Sequence, residues 1–438
     1  MIQLTLHEMR NSWRRNLWLF LELLIAGTFL WQVLQPLCTY MGNRLLPSGY
    51  TSEGVYTLNL DLYDARSGYL YHQDQDNDEQ RNSQYHHILQ VLAACPEVEA
   101  VAVGSNSCFP MAMGMDLNQI TANDTTVVGL QTYIYWALEG NQPERVLGLR
   151  DALTGGPLQL PETFWKGGQE IALSASAAQK AFGTLDVVGK TVTFDPNPLR
   201  VAAVFEDIKH NETTQPYSLA LITEPLHVSA YITWQTILFR LKPGVDADAF
   251  QRRFEREVVP VVNQGNFAYR GMKSLDDYNR EYQLSMGVTG RLRLHTTLVT
   301  FVLTCIFLGV FGTFWMHAQS RRSEIGLKRS LGASRSYIYW QFFLEVGVLV
   351  TVAFVLVLLL MSHFAYTQQL QIFADFTPIY DEEAQFNPAY WQNRPLARFA
   401  VVSGITYVLL LLVSALAVTL PVFRALQQTP SEALHEDE

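Results

Sequence analysis

Residues 298–361 read LVTFVLTCIFLGVFGTFWMHAQSRRSEIGLKRSLGASRSYIYWQFFLEVGVLVTVAFVLVLLLM. Two apolar runs, 298–316 and 342–361, flank a basic segment. A bilayer core of about 30 Å takes about 20 mostly apolar helical residues to cross, so each run is long enough to span it. The segment between them is then a short loop at one membrane face. It carries Arg321, Arg322, Lys328, Arg329 and Arg335, and short loops rich in Lys and Arg stay on the cytoplasmic side. The stretch predicts a membrane hairpin whose tip lies inside the cell.

Two more runs qualify further out: 399–418 (FAVVSGITYVLLLLVSALAV) and 17–34 (LWLFLELLIAGTFLWQVL). Arg10, Arg14 and Arg15 precede the first run and place the N-terminus inside. No A-x-A-like site follows it, so it reads as an uncleaved anchor and not as a signal peptide. The loop before the fourth run holds Asp375, Asp381, Glu382 and Glu383 against Arg394 and Arg398 and belongs outside. Arg291 and Arg293 break the pattern mildly, but a long flanking domain is translocated despite a few charges.

The reading is an α-helical membrane protein with four transmembrane helices in a one-plus-three layout. A large α+β extracytoplasmic domain is inserted between the first and second. The segments are 1–39 (cytoplasmic N-terminus and first helix), 40–290 (external domain with stalk), 291–317 (second helix) and 318–341 (cytoplasmic helix and loop). Then come 342–362 (third helix), 363–398 (short external loop), 399–420 (fourth helix) and 421–438 (cytoplasmic tail). Of 438 residues, 49% are hydrophobic and only 16% charged, against about 25% charged in ordinary globular proteins. That apolar content excludes a disordered chain. A net charge of -10 and a pI near 5.5 disfavour a nucleic-acid partner. Residues 40–290 hold 29 Asp and Glu against 18 Lys and Arg, so the acidity lies in the external domain.

Within that domain, residues 84–94 have helical spacing and residues 98–103 alternate like a strand. The same order returns with an Ala-rich helix at 174–182, ended by Gly183, and strands at 191–194 and 199–205 around the turn at 195–198. Strands at 218–223 and 232–241 and an amphipathic helix at 246–259 complete an α+β domain of two lobes. Helices one and two are expected to project from the bilayer as a stalk. Cys95 and Cys108 suit an oxidising compartment, where they either pair as a disulfide or remain two small core thiols.

Three apparent motifs lose their chemistry on inspection. Gly183 to Thr191 resembles a phosphate-binding loop, but five residues separate Gly183 from Gly189 where the Walker loop has four. It reads as a turn into a strand. Asp74, Asp76 and Asp78 imitate a calcium loop, yet Glu79 stands where Gly is needed and Tyr85 where a bidentate Glu is needed; a solvated acidic loop is expected. His86 and His87 are adjacent on a helix and cannot chelate one ion together. No nucleophile elbow, H-E-x-x-H or Cys-x-x-Cys pattern is present. No catalytic residue and no metal site is expected. Glu22 is the deep acid of the first helix: an intramembrane functional group by default, or a side chain that snorkels to the inner interface. Glu345, one turn into the third run, is placed to pair with a cation of the basic loop.

The loop itself, Arg321-Arg-Ser-Glu-Ile-Gly-Leu-Lys-Arg-Ser-Leu-Gly-Ala-Ser334, is an amphipathic helix. Ile325, Leu327 and Leu331 lie among basic residues, Glu324 and Lys328 form an i,i+4 pair, and Gly332 suits the C-terminus. With the early Glu345, it resembles the R-x-x-E-I-G-L-x-R-A-L-G-A-S signature of the FtsX-like, MacB-type ABC transporter permeases, departing only in Ser330 for Ala. Residues 95–101 (CPEVEAV), 146–149 (VLGL) with Gly155-Gly-Pro157, and 173–190 with 201–207 are similar to that family's segments. So are 420–425 (LPVFRA) and 430–434 (PSEAL).

The resemblance implies a type VII, mechanotransmission permease of the bacterial inner membrane. Such a permease forms a homo- or heterodimer, binds a separate cytoplasmic ABC ATPase and moves its periplasmic domain on periplasmic cargo or a partner protein. The coupling helix maps onto Arg321, Glu324, Ile325, Gly326, Leu327, Lys328, Arg329, Leu331, Gly332 and Ala333. Cofactors are expected to be none in this chain, with ATP and Mg in the partner subunit; membrane lipid is the other partner. The alternatives are an ATPase-linked regulator of a cell-envelope enzyme and an ion-coupled transporter using Glu22.

Overall fold

The computed structural model describes residues 13–112, 114, 116–167, 169–194, 196–226, 235–263, 265–367 and 390–427. Arg10, Asp195, residues 232–234, Asp375, Asp381, Glu382, Glu383 and the 430–434 motif lie outside the described residues. The chain divides into two bodies: a membrane body containing Met1–Gly42, Thr289–Phe376 and Pro388–Glu438, and an external body dominated by Asn43–Val288.

Among the described residues, four helices in the membrane body are long and apolar enough to cross a bilayer. They run Trp13–Arg44, Val288–Ser320, Arg335–Thr367 and Pro395–Gln427. At 1.5 Å per residue, 32 or 33 residues give a length of about 50 Å, well over the apolar thickness. The second helix buries Val302, Ile306, Val310 and Phe314, a stripe with a step of four that keeps one face inward. It packs with Leu19, Leu23, Leu30 and Trp31 of the first, Phe342, Val346, Val350 and Val357 of the third, and Val402, Leu410, Val418 and Val422 of the fourth. Gly27 permits a close helix approach: a Cβ there would meet Val357 at 3.2 Å and Leu410 at 3.4 Å. The opposite faces expose Ile25, Phe301, Leu308, Leu359 and Leu416, an apolar belt that only lipid tails solvate without penalty.

Among the described residues, the external body carries a ten-stranded sheet in the order β10-β1-β9-β2-β4-β3-β6-β7-β5-β8, with β8 returning to β4. The strands are β1 Val55–Leu62, β2 Val98–Ser105, β3 Asp116–Ala122, β4 Thr126–Trp136, β5 Glu170–Ser174, β6 Thr191–Phe194, β7 Asn197–Phe205, β8 Leu219–Glu224, β9 Gln235–Leu241 and β10 Phe267–Ser274. β10, β1, β9 and β2 form an antiparallel lobe. The other six close a ring, because β8 pairs parallel with β4 after bonding β5. Along the sheet the two lobes are joined by the rung Gly104↔Tyr135, and beneath it Ala100, Ala102 and Leu238 of the first share a core with Tyr133, Tyr135 and Leu221 of the ring. Only glycine fits there, since a Cβ on Gly104 would lie 2.4 Å from the Ile134 carbonyl oxygen.

Helix Asp78–Ala93 lays Tyr85, Ile88 and Leu92 on the first lobe, and helix Ala247–Glu257 adds Phe250 and Phe254. Full burial of each such side chain stabilises by about 2–3 kcal/mol relative to leaving it in water. The short helix Ala175–Phe182 fits into the ring through Ala177, Ala178 and Ala181. Its ends follow from sequence: the Ser174 side chain accepts from the Ala177 N–H, and Gly183 closes it at φ +72°.

Of the two readings left open for Cys95 and Cys108, the fold takes the second: both are free thiols, in separate cores. The eight-residue β2 stands between them, about 26 Å of extended chain at 3.3 Å per residue, whereas a disulfide needs Cα atoms within about 7 Å. The acidic run at Asp74–Asp78 is only partly a solvated loop. Asn77 caps helix Asp78–Ala93 through the Gln80 N–H, and Asp76 and Asp78 both engage the buried Arg81.

Candidate functional site

The basic loop folds as helix Arg322–Ser330, with one side packed on the membrane body and Leu327 exposed on another. Ile325 and Gly326 are buried, with Ile325 entering the membrane-body core. Arg321, the residue before the first turn, donates from a guanidinium nitrogen to Glu345 Oε2 at 3.1 Å. Glu345 is 2% exposed, and His317 Nδ1 lies 3.9 Å from its other oxygen. At the far end Arg329 donates to the Leu426 carbonyl at 3.1 Å, placing a cation at the negative end of the fourth helix. Lys328 pairs with Glu324 at 2.5 Å and reaches Gln341 at 3.4 Å.

The C-terminal turn closes by Gly332 N–H to Arg329 O and Ala333 N–H to Lys328 O. Gly332 sits at φ +95° with open space where a Cβ would point. A larger residue there meets backbone strain, not a neighbour. The expectation that Ile325, Leu327 and Leu331 share one role divides in space. Ile325 faces in, whereas Leu327 is 53% and Leu331 79% exposed.

Glu22 packs against the second helix at Gly309, where a Cβ would come within 1.6 Å of Glu22 Oε1. The missing side chain on Gly309 makes room for the carboxylate between the helices. Sequence spacing gave no signal for this contact, because the partner is a glycine far along the chain. Glu22 and Glu345 are not brought together by any bond: Glu22 meets Gly309, and Glu345 meets Arg321.

In the external body the apparent phosphate loop is a structural turn. Gly189 takes φ +88°, β6 begins at Thr191, and the Lys190 ammonium lies 4.9 Å from the centre of the Phe182 ring. No group of His, Cys, Asp and Glu suited to a metal ion occurs among the described residues. Burial raises the Cys95 and Cys108 thiols, which keeps both protonated. A feature the sequence reading missed is Lys209, whose ammonium donates to the carbonyls of Asn43, at 2.6 Å, and Leu46. Burial lowers it to about 8, against the opposing pull of Glu212.

The profile of the FtsX-like permease C-terminal domain matches residues 296–430, and that of the MacB-like periplasmic core domain matches residues 51–257. The chain belongs to the MacB/FtsX-type permeases. It is an inner-membrane protein and the permease component of an ABC transporter of that kind, a family that works with a cytoplasmic ABC ATPase. The external body is similar to the periplasmic region of MacB from Actinobacillus actinomycetemcomitans, at 13% identity over 53% of this chain and 94% of that one, with a TM-score of 0.33. It is also similar to the extracellular domain of the noncanonic ABC-type transporter YknZ from Gram-positive bacteria, at 12% identity over 49% and 100%, with a TM-score of 0.29. Comparison with curated proteins found no match. In this permease the helix Arg322–Ser330 lies within the FtsX-like match, and the ring and first lobe lie mostly within the MacB-like match.

Proposed function

We propose that this permease is a non-catalytic subunit. It couples ATP hydrolysis by a separate cytoplasmic ATPase to movement of its periplasmic domain, through helix Arg322–Ser330 as the coupling helix. The supporting observation is the two-sidedness of that helix. Arg321, Ile325 and Arg329 hold it to the membrane body, while Leu327 and Leu331 present apolar surface outward at its C-terminal end. A lever needs both: an anchored side that passes motion on and an exposed side that receives it. The termini and the coupling helix then lie in the cytoplasm and the large domain in the periplasm. Two permease copies, or this chain and a paralogue, pair in the membrane. ATP and Mg belong to the partner. The cargo is a lipoprotein, peptide or drug that the external body extracts or exports. The described helices carry few intramembrane charges, which favours transmission of force over an ion path through Glu22.

The test is co-purification from membranes. Leu331→Asp, alone and with Leu327→Asp, should lose the ATPase while the permease remains inserted, because a buried unpaired carboxylate opposes docking. Retention of the ATPase by the double variant overturns the assignment of the coupling surface. Cysteine labelling gives the orientation: a position at Ser334 should be shielded from outside, and labelling there from outside would overturn the topology and the coupling role together.

A further inference from the structure

The main stretch of the external body runs from Asn43 to Val288. The first membrane helix ends within it, at Arg44, and a helix of eleven residues, Leu275–Ser285, precedes its far end. One loop, 209–214, between the ring strands β7 and β8, holds both ends. At the first, Lys209 donates from its ammonium to the Asn43 and Leu46 carbonyls, a cation on the negative end of the helix, and Asn43 Nδ2 donates to the Thr213 carbonyl at 2.8 Å. At the second, Asn279 Nδ2 donates to Glu212 Oε1 at 3.0 Å, and the Tyr282 ring stands edge-on to the His210 ring, 5.1 Å between centres. The loop is stiff in itself, since Asn211 Oδ1 accepts from both the N–H and the hydroxyl of Thr213.

Asn43, His210 and Asn211 are each no more than 2% exposed. Yet Asn43 Oδ1, Asn211 Nδ2 and both ring nitrogens of His210 have no hydrogen-bond partner among the described residues. Burial lowers the imidazole to about 4, so the ring is neutral, and its one N–H and its one lone pair both go unmet. Buried polar groups normally find a partner; one that does not weakens the closed state about tenfold. Water would meet all of these groups once the loop opened. We propose that loop 209–214 is a releasable latch, tying both membrane connections of the external body to the ring while its unmet polar groups keep a released state within reach. Opening at one end then loosens the other, because both grips are on one loop. The use of such a latch rests on the domain movement proposed above; the latch itself does not.

Hydrogen exchange of the detergent-purified full chain tests this, read by mass spectrometry in peptides covering 43–50, 209–217 and 275–286. His210→Phe and His210→Leu remove the unmet nitrogens and keep an apolar side chain of similar size. At least one of them should slow exchange in all three peptides, by about tenfold. An imidazole that serves packing alone predicts the opposite sign, so unchanged or faster exchange in both variants overturns the primed release. Lys209→Met should speed exchange about tenfold or more in 43–50, and also at the other grip, in 275–286. Asn279→Ala, at a half-buried site, should act in the reverse direction and speed 43–50 about threefold. Effects confined to the peptide next to each substitution would make the two grips independent and overturn the latch. No ATPase is present in the assay, so failure of the coupling proposal and failure of the latch are separate results.

Discussion

Replacing Arg321 with Gln should unlatch the coupling helix from the membrane body. The guanidinium lies 3.1 Å from Glu345 Oε2, with side-chain exposures of 12% and 2% for the pair. At that distance, and an effective dielectric of about 20, the attraction is about 5 kcal/mol before desolvation is counted. Removing one partner of a buried pair typically costs about 3–5 kcal/mol, because the remaining charge stays buried. The cost should be asymmetric. Arg321→Gln takes the 3.1 Å guanidinium away from the more buried carboxylate, whereas Glu345→Gln keeps an acceptor oxygen for Arg321, for a loss of about 1–2 kcal/mol. The double variant should recover much of the Arg321→Gln loss, a coupling of about 2 kcal/mol. Hydrogen exchange of the amides in Arg322–Ser330 reads this directly, and a 3 kcal/mol loss speeds local opening about 150-fold. Exchange within threefold of the parent in both single variants, or strict additivity in the double, would refute the latch.

Two further outcomes are expected. Gly309→Ala sets a Cβ 1.6 Å from Glu22 Oε1, forcing the carboxylate aside at a cost of about 1–3 kcal/mol. Glu22→Ala in the same chain should restore the unfolding midpoint in detergent, and identical midpoints with and without Glu22 would show that the two residues do not touch. Burial raises the Glu144 carboxyl from 4.5 to about 7, and its Oε2 has no hydrogen-bond partner among the described residues. A folded value above the unfolded one means the contribution is full below about pH 4.5 and lost as pH rises through about 7, worth at most about 3 kcal/mol. Glu144→Gln should therefore stabilise at pH 8 and be neutral at pH 4 in denaturant titrations; equal effects at both pH values would contradict this burial.

The membrane half was legible because its signal is local and periodic. About 20 apolar residues per crossing, a stripe with a step of four and a loop of five cations need no tertiary knowledge to interpret. The same holds for the caps at Ser174 and Gly183, the i,i+4 pair Glu324–Lys328 and the wrong spacing of the glycine loop, all set within one turn of chain. What only the folded molecule decided depends on residues far apart in sequence. The ring that closes when β8 returns to β4 and the Gly104 rung between the lobes are long-range pairings with no periodic mark. The fit of Glu22 against Gly309 and the bond from Arg329 to the Leu426 carbonyl are invisible for the same reason. The amphipathic pattern of the coupling helix showed that it had two faces. Which leucines face outward was settled by packing, since a helix of nine residues rotates freely about its axis until Ile325 and Arg321 find the membrane body. Cys95 and Cys108 illustrate the limit from the other side: thirteen positions apart in sequence, they are kept apart in space by the extended strand between them.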